Sequence, residues 1–339
     1  MKLAAAFPNV LLMLAVSAAP ALGQTVVSSP GNGEQVSSPF NLTMDASTCS
    51  AWPVTYVGYS LDNSTYTAIF AGQRMDGPVG APSGWHTVHI KAWNNAGSVC
   101  VTDVSVDVLG GATSVIPPNA VKVSSIQTLD NWVAVHDGGT DGSSSGASKL
   151  VSSPSLTGAA RFFANQFNDF GGERYSVQFD DNTTSQNFFY DAWVYIAGSA
   201  VGFSNLEFDL DQTMSNGETV VMGFQCDSWI QRWDYAVNGG SPAHFNDTWA
   251  HSNAPCDVHS WGANQWHHVQ IYYSHNDSGW VTYHSVWLDG AERDLNDTVF
   301  SGYNLGWGPV IGTNFQIDGD SSGTTWGNVY LDGITVYRW

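Results

Sequence analysis

The sequence predicts an all-β protein, and three observations support that fold class. Gly is abundant, with 35 of 339 residues, and aromatic residues make up 13% of the chain. Short runs that alternate apolar and polar residues recur between Gly, Asn, Asp and Ser, which is typical of strands joined by tight turns. Stretches with the period of a helix are rare after the N-terminal segment. We therefore expect two successive β-units, an N-terminal sandwich and a larger C-terminal jelly roll.

Residues 1–23 have the pattern of a secretory signal peptide. Lys2 supplies a positive charge, an apolar run follows at 10–16, and small residues precede Gln24. The apolar run is shorter than the ~20 residues that a membrane-spanning helix needs. The sequence thus predicts a secreted chain, extracellular or periplasmic, without a membrane partner.

The charge balance restricts the partners. Asp and Glu number 30 against 10 Lys and Arg, which gives a formal net charge of −20. Nucleic acids are excluded as partners because phosphate binding requires clustered cations. The same balance disfavours anionic membranes and favours neutral over acidic glycans. It leaves the oligomeric state open.

The first predicted unit covers residues 24–108. Alternating runs predict three of its strands, at 54–60, 84–93 and 99–108. Cys49 and Cys100 lie about where an immunoglobulin-like sandwich places its bridged pair, with Trp52 close by. The segment 84–97, GWHTVHIKAWNNAG, resembles bacterial immunoglobulin-like modules appended to secreted enzymes. That resemblance implies a spacer or adhesive unit without a catalytic role.

The four cysteines predict two disulfides, since their number is even and the chain is exported. Three pairings are possible. The simplest pairs Cys49 with Cys100 and Cys226 with Cys256, because each bond then closes a loop within one unit. Residues 109–119 contain two Gly and a Pro pair without periodicity, which indicates a linker.

The second predicted unit covers residues 120–339. Its Gly- and Ser-rich part from Asp137 to Ser148 predicts an exposed loop. Nine further runs predict strands, at 175–180, 189–196, 205–212, 219–226, 232–237, 266–273, 281–288, 313–318 and 328–337. This density of strands suits the two packed antiparallel sheets of a jelly roll.

Three segments of this unit carry a resemblance to a known superfamily. They are NQWHHVQIYY at 264–273, VTYHSVWLDGAE at 281–292 and VYLDGITVYRW at 329–339. In this order they resemble concanavalin A-like lectin and glucanase domains, which implies the fold and glycan chemistry in general. Related folds hold one structural Ca²⁺ through an acidic residue of the last strand, and Asp332 matches that position. The alternative for Asp332 is a turn residue before Gly333, and no cofactor is required.

Three acids follow one another on one face of the predicted strand 205–212. Because alternate side chains of a strand share a face, Glu207, Asp209 and Asp211 point to the side opposite the apolar residues between them. Like charges at this spacing raise one another's pKa, so the cluster indicates a functional site.

The acidic segment is similar to the Glu-x-Asp-x-Glu motif of laminarinase- and lichenase-type glycoside hydrolases. The resemblance implies a retaining β-glucan hydrolase with Glu207 as nucleophile, Asp209 as helper and Asp211 as acid/base. Asp211 departs from the motif, which has Glu there, or at Gln212 in the bulged form. The alternatives are carboxylates that bind sugar hydroxyls without cleavage, a solvated strand face, or carboxylates held by Arg232 or by donors from neighbouring strands.

Tryptophans indicate a glycan groove beside the acidic strand. Ten of the 15 Trp lie between residues 229 and 339. Sugar rings pack on aromatic faces while polar groups fix their orientation. For the aromatic candidates the alternative is a place in the core. The candidate ligand-binding residues are Gln225, Trp229, Arg232, Trp233, Tyr235, Trp249 and His251.

The sequence leaves three functions open. The first is a secreted glycan-binding protein, and the second is the retaining hydrolase. The third is a structural or adhesive surface protein. A polysaccharide lyase is less favoured, because Arg232 is the one cation near the candidate groove to neutralise a uronate.

Overall fold

The computed structural model describes residues 24–64, 66–81, 84–109 and 115–339. The predicted signal peptide lies outside these residues, as does part of the predicted linker. The all-β prediction is confirmed: the described chain consists of strands, with short 3-10 turns such as Ile126–Thr128 and Val258–Ser260. Among the described residues we find no helix that is long and apolar enough to cross a membrane.

The N-terminal part forms two sheets that enclose one core. The three-stranded sheet has the order β1-β3-β6 and the five-stranded sheet the order β2-β8-β7-β4-β5. Buried side chains of both sheets, such as Leu42 and Ile90, form a single cluster. The strands are β1 Val26–Ser29, β2 Glu34–Ser37, β3 Phe40–Asp45, β4 Tyr56–Leu61, β5 Ala68–Ala71, β6 Arg74–Val79, β7 Gly84–Trp93 and β8 Val99–Leu109.

The predicted bond between Cys49 and Cys100 is present in this sandwich. Trp52 does not pack in the core beside it, since 61% of its surface is exposed. That this unit is an immunoglobulin-like module stays a prediction, as do the domain boundaries.

The C-terminal part consists of two larger sheets. The strands are β9 Val121–Ser124, β10 Val133–His136, β11 Ser143–Val151, β12 Ala160–Asn168, β13 Gly172–Asp180, β14 Asn187–Ala197, β15 Phe203–Thr213, β16 Thr219–Met222, β17 Phe224–Asp227, β18 Arg232–Asn238, β19 Asp247–Pro255, β20 Trp266–His275, β21 Trp280–Leu288, β22 Ala291–Phe300, β23 Gly302–Tyr303, β24 Ile311–Gly319 and β25 Thr324–Arg338. The nine-stranded sheet has the order β10-β13-β24-β15-β17-β18-β19, with β16 paired to β15 and β23 paired to β16. The eight-stranded sheet has the order β11-β12-β25-β14-β20-β21-β22, with β9 on β25.

The two sheets enclose the main core. Leu206, Phe208 and Leu210 of β15 are fully buried in it, beside Tyr190 of the opposite sheet. A bond between Cys226 and Cys256 confirms the second predicted disulfide. All nine predicted strands are found, although the run 219–226 is divided into β16 and β17 at Gly223.

The predicted loop from Asp137 to Ser148 is wrong in its second half. β11 begins at Ser143 and pairs with β12 along its whole length. The Gly within it serves close packing: a Cβ on Gly146 would lie 2.1 Å from the Tyr175 hydroxyl. A Gly- and Ser-rich segment can therefore be a strand where a large neighbour covers it.

Candidate functional site

A cleft of about 700 Å³ lies on the outer face of the nine-stranded sheet. Glu207, Asp209 and Asp211 line it, while the alternate apolar residues of β15 enter the core. The predicted separation of the two faces is therefore confirmed. The strands β24 and β17, on either side of β15, complete the floor.

A row of polar residues crosses this floor from strand to strand. Residues directly opposite in an antiparallel pair have neighbouring side chains on one face. The register places the row on β13, β24, β15, β17, β18 and β19 in turn. Its members are Arg174, Gln316, Glu207, Gln225, Asp234 and His251.

Each acid of β15 receives few hydrogen bonds. The Gln316 Nε2 donates to Glu207 Oε1 at 2.9 Å, and the Asn314 Nδ2 donates to Asp211 Oδ2 at 2.7 Å. The backbone N–H of Phe224 donates to Asp209 Oδ1 at 3.0 Å. The floor is thus built from carboxyl groups and carboxamides with little internal compensation.

Burial raises the pKa of these acids. The pKa of Glu207 lies well above its usual value, because burial and then the charges of Asp209 and Asp318 disfavour ionisation. Burial and the charge of Asp211 have the same effect on the pKa of Asp209. Burial also raises the pKa of Asp211 to about 6 and that of Asp318 to about 7. These shifts favour the protonated forms of the floor acids, which can donate as well as accept hydrogen bonds.

Three buried acceptors on this floor have no hydrogen-bond partner among the described residues. They are Asn205 Oδ1, Asp211 Oδ1 and Gln225 Oε1. All three residues line the cleft. Because more than about 90% of buried polar groups in proteins are paired, unpaired acceptors gathered in one cleft indicate a place for hydrogen-bond donors of a ligand.

Aromatic rings form part of the cleft wall. Trp249 on β19 is 38% exposed and Trp307, in the segment before β24, is 47% exposed. Phe245 and Tyr303 lie in the same wall. Of these four aromatic residues, only Trp249 was predicted from the sequence. Trp307 could have been found as well, because the flanking Gly306 and Gly308 indicate an exposed turn.

The binding role predicted for Trp233 and Tyr235 is wrong. Both face the core, where Trp233 stacks on Phe224 and Tyr235 stacks on Tyr283. Alternation along β18 explains the error, because it directs Asp234 between them to the opposite face, in the polar row across the cleft floor.

The other predicted ligand-binding residues are distributed unevenly. Gln225 lines the cleft, and the His251 Nδ1 lies 2.8 Å from Asp234 Oδ2 at the end of the polar row. Trp229 is 60% exposed on the turn after β17 and is not part of the cleft lining. The Arg232 guanidinium donates to the carbonyl of Ser252 at 3.3 Å and also stays outside that lining.

The predicted calcium ligand Asp332 does not fit a metal site. Its carboxylate is fully buried and receives hydrogen bonds from protein donors on both oxygens. Calcium needs six to eight oxygen ligands, whereas these partners are N–H and O–H groups. This prediction is wrong: Asp332 fastens a loop to the last strand. The donors are Gln127 Nε2, Ser155 Oγ, Leu156 N, Thr157 N, Thr157 Oγ1 and Gly333 N.

No family model and no curated protein matches this chain. Solved structures that align with it include carbohydrate-binding modules of the β-sandwich superfamily, with 10% identity over 92% of this chain and 96% of theirs and a TM-score of 0.33. A cellulose-induced protein aligns with 14% identity over 63% of this chain and 96% of its own, with a TM-score of 0.38. A family 11 carbohydrate-binding module from Clostridium thermocellum, in complex with a β-1,3-1,4-mixed-linked tetrasaccharide, aligns with 12% identity over 64% and 94%, with a TM-score of 0.28.

These likenesses are too distant to carry an argument about function, because every TM-score is below 0.5. Function therefore has to be inferred from the cleft itself. The resemblance of the C-terminal part to concanavalin A-like domains stays a prediction at the level of the superfamily.

Proposed function

We propose that the chain is an exported glycan-binding protein that holds a segment of a neutral polysaccharide in the cleft. The observation that supports this function best is the set of three unpaired acceptors in a cleft that the partly exposed rings of Trp249 and Trp307 also line. The two disulfides agree with export, since such bonds persist in oxidising compartments.

Sugar chemistry matches both parts of this cleft. Hydroxyl groups would donate to Asn205, Asp211 and Gln225, and the C–H faces of the rings would pack on the tryptophans. The volume of about 700 Å³ lies within the range of small-ligand sites. Uronates are disfavoured, because the floor carries several carboxyl groups while Arg174, 3.9 Å from Asp137, is already partly compensated.

The first test compares tryptophans inside and outside the cleft. We expect Trp249→Ala and Trp307→Ala each to weaken binding of a soluble neutral β-glucan about tenfold, which corresponds to roughly 1.4 kcal/mol of stacking. Isothermal titration against a panel of neutral glucans and uronate polymers measures the change. Trp326, which is 71% exposed away from the cleft, provides the matched control, and Trp326→Ala should leave affinity unchanged.

Trp229→Ala tests whether Trp229 belongs to the binding site. The sequence places Trp229 in the groove, whereas the structure leaves it out of the lining, so we expect less than a twofold change. Absence of affinity for every polymer would contradict the proposal and leave the structural or adhesive function. Equal losses of affinity in the Trp249 and Trp326 variants would contradict the assignment of the binding site to this cleft.

A second candidate function is glycoside hydrolysis, which one geometric observation favours. The Gln316 Nε2 donates to Glu207 Oε1 at 2.9 Å and to Asp318 Oδ1 at 3.0 Å. The shared donor keeps the two accepting oxygens less than about 6 Å apart, an upper limit that includes the ~5–5.5 Å of retaining glycosidases. Glu207 and Asp318, on adjacent strands, make a better pair than Glu207 and Asp211, which stand four residues apart on one strand.

In this hydrolase the roles differ from those that the motif implies. Asp318 would attack the anomeric carbon while Glu207, whose pKa is raised well above its usual value by burial, protonates the departing glycosidic oxygen. Water would then cleave the glycosyl–Asp318 ester, with Glu207 taking the proton from the water and Asp318 leaving as carboxylate.

Reducing-end release from the same glucan panel tests the hydrolase. Glu207→Gln and Asp318→Asn should each abolish product while binding is retained, and Asp211→Asn should keep at least a tenth of the rate. Product formation by Asp318→Asn at the wild-type rate would exclude this pair. Lack of product with any polymer would reject hydrolysis and leave the binding function intact.

A further inference from the structure

We propose that Asp227, Asp234 and His251 form a binding site for a divalent transition-metal cation such as Zn²⁺ at one end of the cleft. One potential ligand atom from each of these three side chains lies within 4.8 Å of the other two. This inference does not depend on the proposed glycan-binding function, because it uses a separate cluster of side chains.

The three residues are held by neighbouring strands. Asp227 ends β17, Asp234 lies on β18 and His251 lies on β19, directly opposite Asp234. The disulfide between Cys226 and Cys256 ties the end of β17 to the residue that follows β19. The backbone N–H groups of Trp229 and Ile230 fix one oxygen of Asp227, at 2.6 and 3.2 Å. The ligands are thus positioned before any ion binds.

An unpaired acceptor provides an independent indication of a ligand site at this cluster. Asp234 is fully buried, and its Oδ1 has no hydrogen-bond partner among the described residues. A buried carboxylate without full compensation costs several kcal/mol, and a cation would provide the compensation.

Nearby protein cations do not fill this role. Arg232 is the residue opposite Asp227, but its guanidinium donates to the carbonyl of Ser252, and no ion pair joins it to Asp227 in the described structure. Among the ion pairs of the described residues, the one that involves this cluster is the 2.8 Å contact between Asp234 Oδ2 and His251 Nδ1 within it. His251 is about half exposed and can present a ring nitrogen to an ion.

The ligand set selects the class of cation. Imidazole together with carboxylates suits zinc and its neighbours, which accept three protein ligands and keep a further position open. Calcium, by contrast, needs six to eight oxygen ligands. Asp227 also lines the cleft, so the ion would lie beside the space that a ligand enters.

Calorimetric titration of the chelator-treated full chain with ZnCl₂ tests the site. We expect one saturable Zn²⁺ per chain and at least tenfold weaker binding in His251→Ala and in Asp234→Asn. His244→Ala is the matched control, because His244 is an exposed histidine outside the cluster, and its affinity should equal that of the wild type. CaCl₂ should bind at least tenfold more weakly than ZnCl₂.

The outcomes that would overturn the site are separate from those for glycan binding, since no glycan is present. Absence of saturable Zn²⁺ binding, unchanged affinity in His251→Ala, or tighter binding of Ca²⁺ than of Zn²⁺ would each reject it. Because Asp234 is buried, Asp234→Asn is interpreted only if its circular dichroism spectrum matches that of the wild type. His251 is half-exposed, so His251→Ala tests the site whether or not the Asp234 variant folds.

Discussion

Two buried aspartates in this protein have opposite surroundings. Asp332, on the eight-stranded sheet, accepts six hydrogen bonds from protein donors through its two oxygens. Asp211, on the nine-stranded sheet, accepts one from Asn314, and its Oδ1 is unpaired within the described chain. Both side chains are at most 5% exposed, so burial alone does not distinguish them.

The number of hydrogen-bond donors around each carboxyl group distinguishes the roles of the two aspartates. A buried charge that is saturated by protein donors stabilises the fold, because its removal leaves those donors unpaired. A buried carboxyl group that lacks donors costs free energy, which a protein retains where a ligand completes the set. The same residue type thus marks an anchor on one sheet and a candidate binding surface on the other.

The largest expected effect of a substitution that tests this comparison is that of Asp332→Ala. It leaves the donors of Gln127 and of the segment 155–157 unpaired in the core, so we expect a loss of about 3–5 kcal/mol in the free energy of unfolding. Guanidinium chloride unfolding at pH 7 measures it. Asp181→Ala, at an exposed position, should stay within about 0.5 kcal/mol. A similar small change for Asp332→Ala would show that the donors find other partners.

Periodicity alone predicted the central part of the candidate site. The alternation over 205–212 assigned the apolar residues to the core and the three acids to the other face, as the structure has them. Local patterns suffice here because a strand's two faces are fixed by its own sequence. The two disulfides could likewise be predicted, since pairing within each unit is the simplest arrangement.

The residues that complete the floor could not be predicted in this way. Asn314, Gln316 and Asp318 lie more than 100 residues after β15 in the sequence, and only the pairing of β24 with β15 brings them beside the acids. The same limit explains Asp332, whose loop donors are 175 to 177 residues away in sequence. Trp233 differs, because the alternation along β18 already places it on the face opposite Asp234.

Asp211→Asn tests the other aspartate of the comparison, and its expected effect on stability is smaller and of opposite sign. Burial raises the pKa of Asp211 to about 6 in the folded chain, from an ordinary value of 3.8. The folded state therefore holds its proton more tightly, so the stability that this group contributes is present below pH 3.8 and is lost as the pH rises through about 6. An amide at this position retains an oxygen for the Asn314 donor and carries no charge.

We therefore expect Asp211→Asn to raise the free energy of unfolding at pH 7, by up to about 3 kcal/mol. The gain should shrink towards zero at pH 4, because the wild-type carboxyl group is then protonated in the folded state. Denaturant midpoints at the two pH values measure both differences, and Asp181→Asn should shift neither. A loss of stability at pH 7 would mean that Asp211 is an anchor like Asp332, and the distinction between the two sheets would then have to be abandoned.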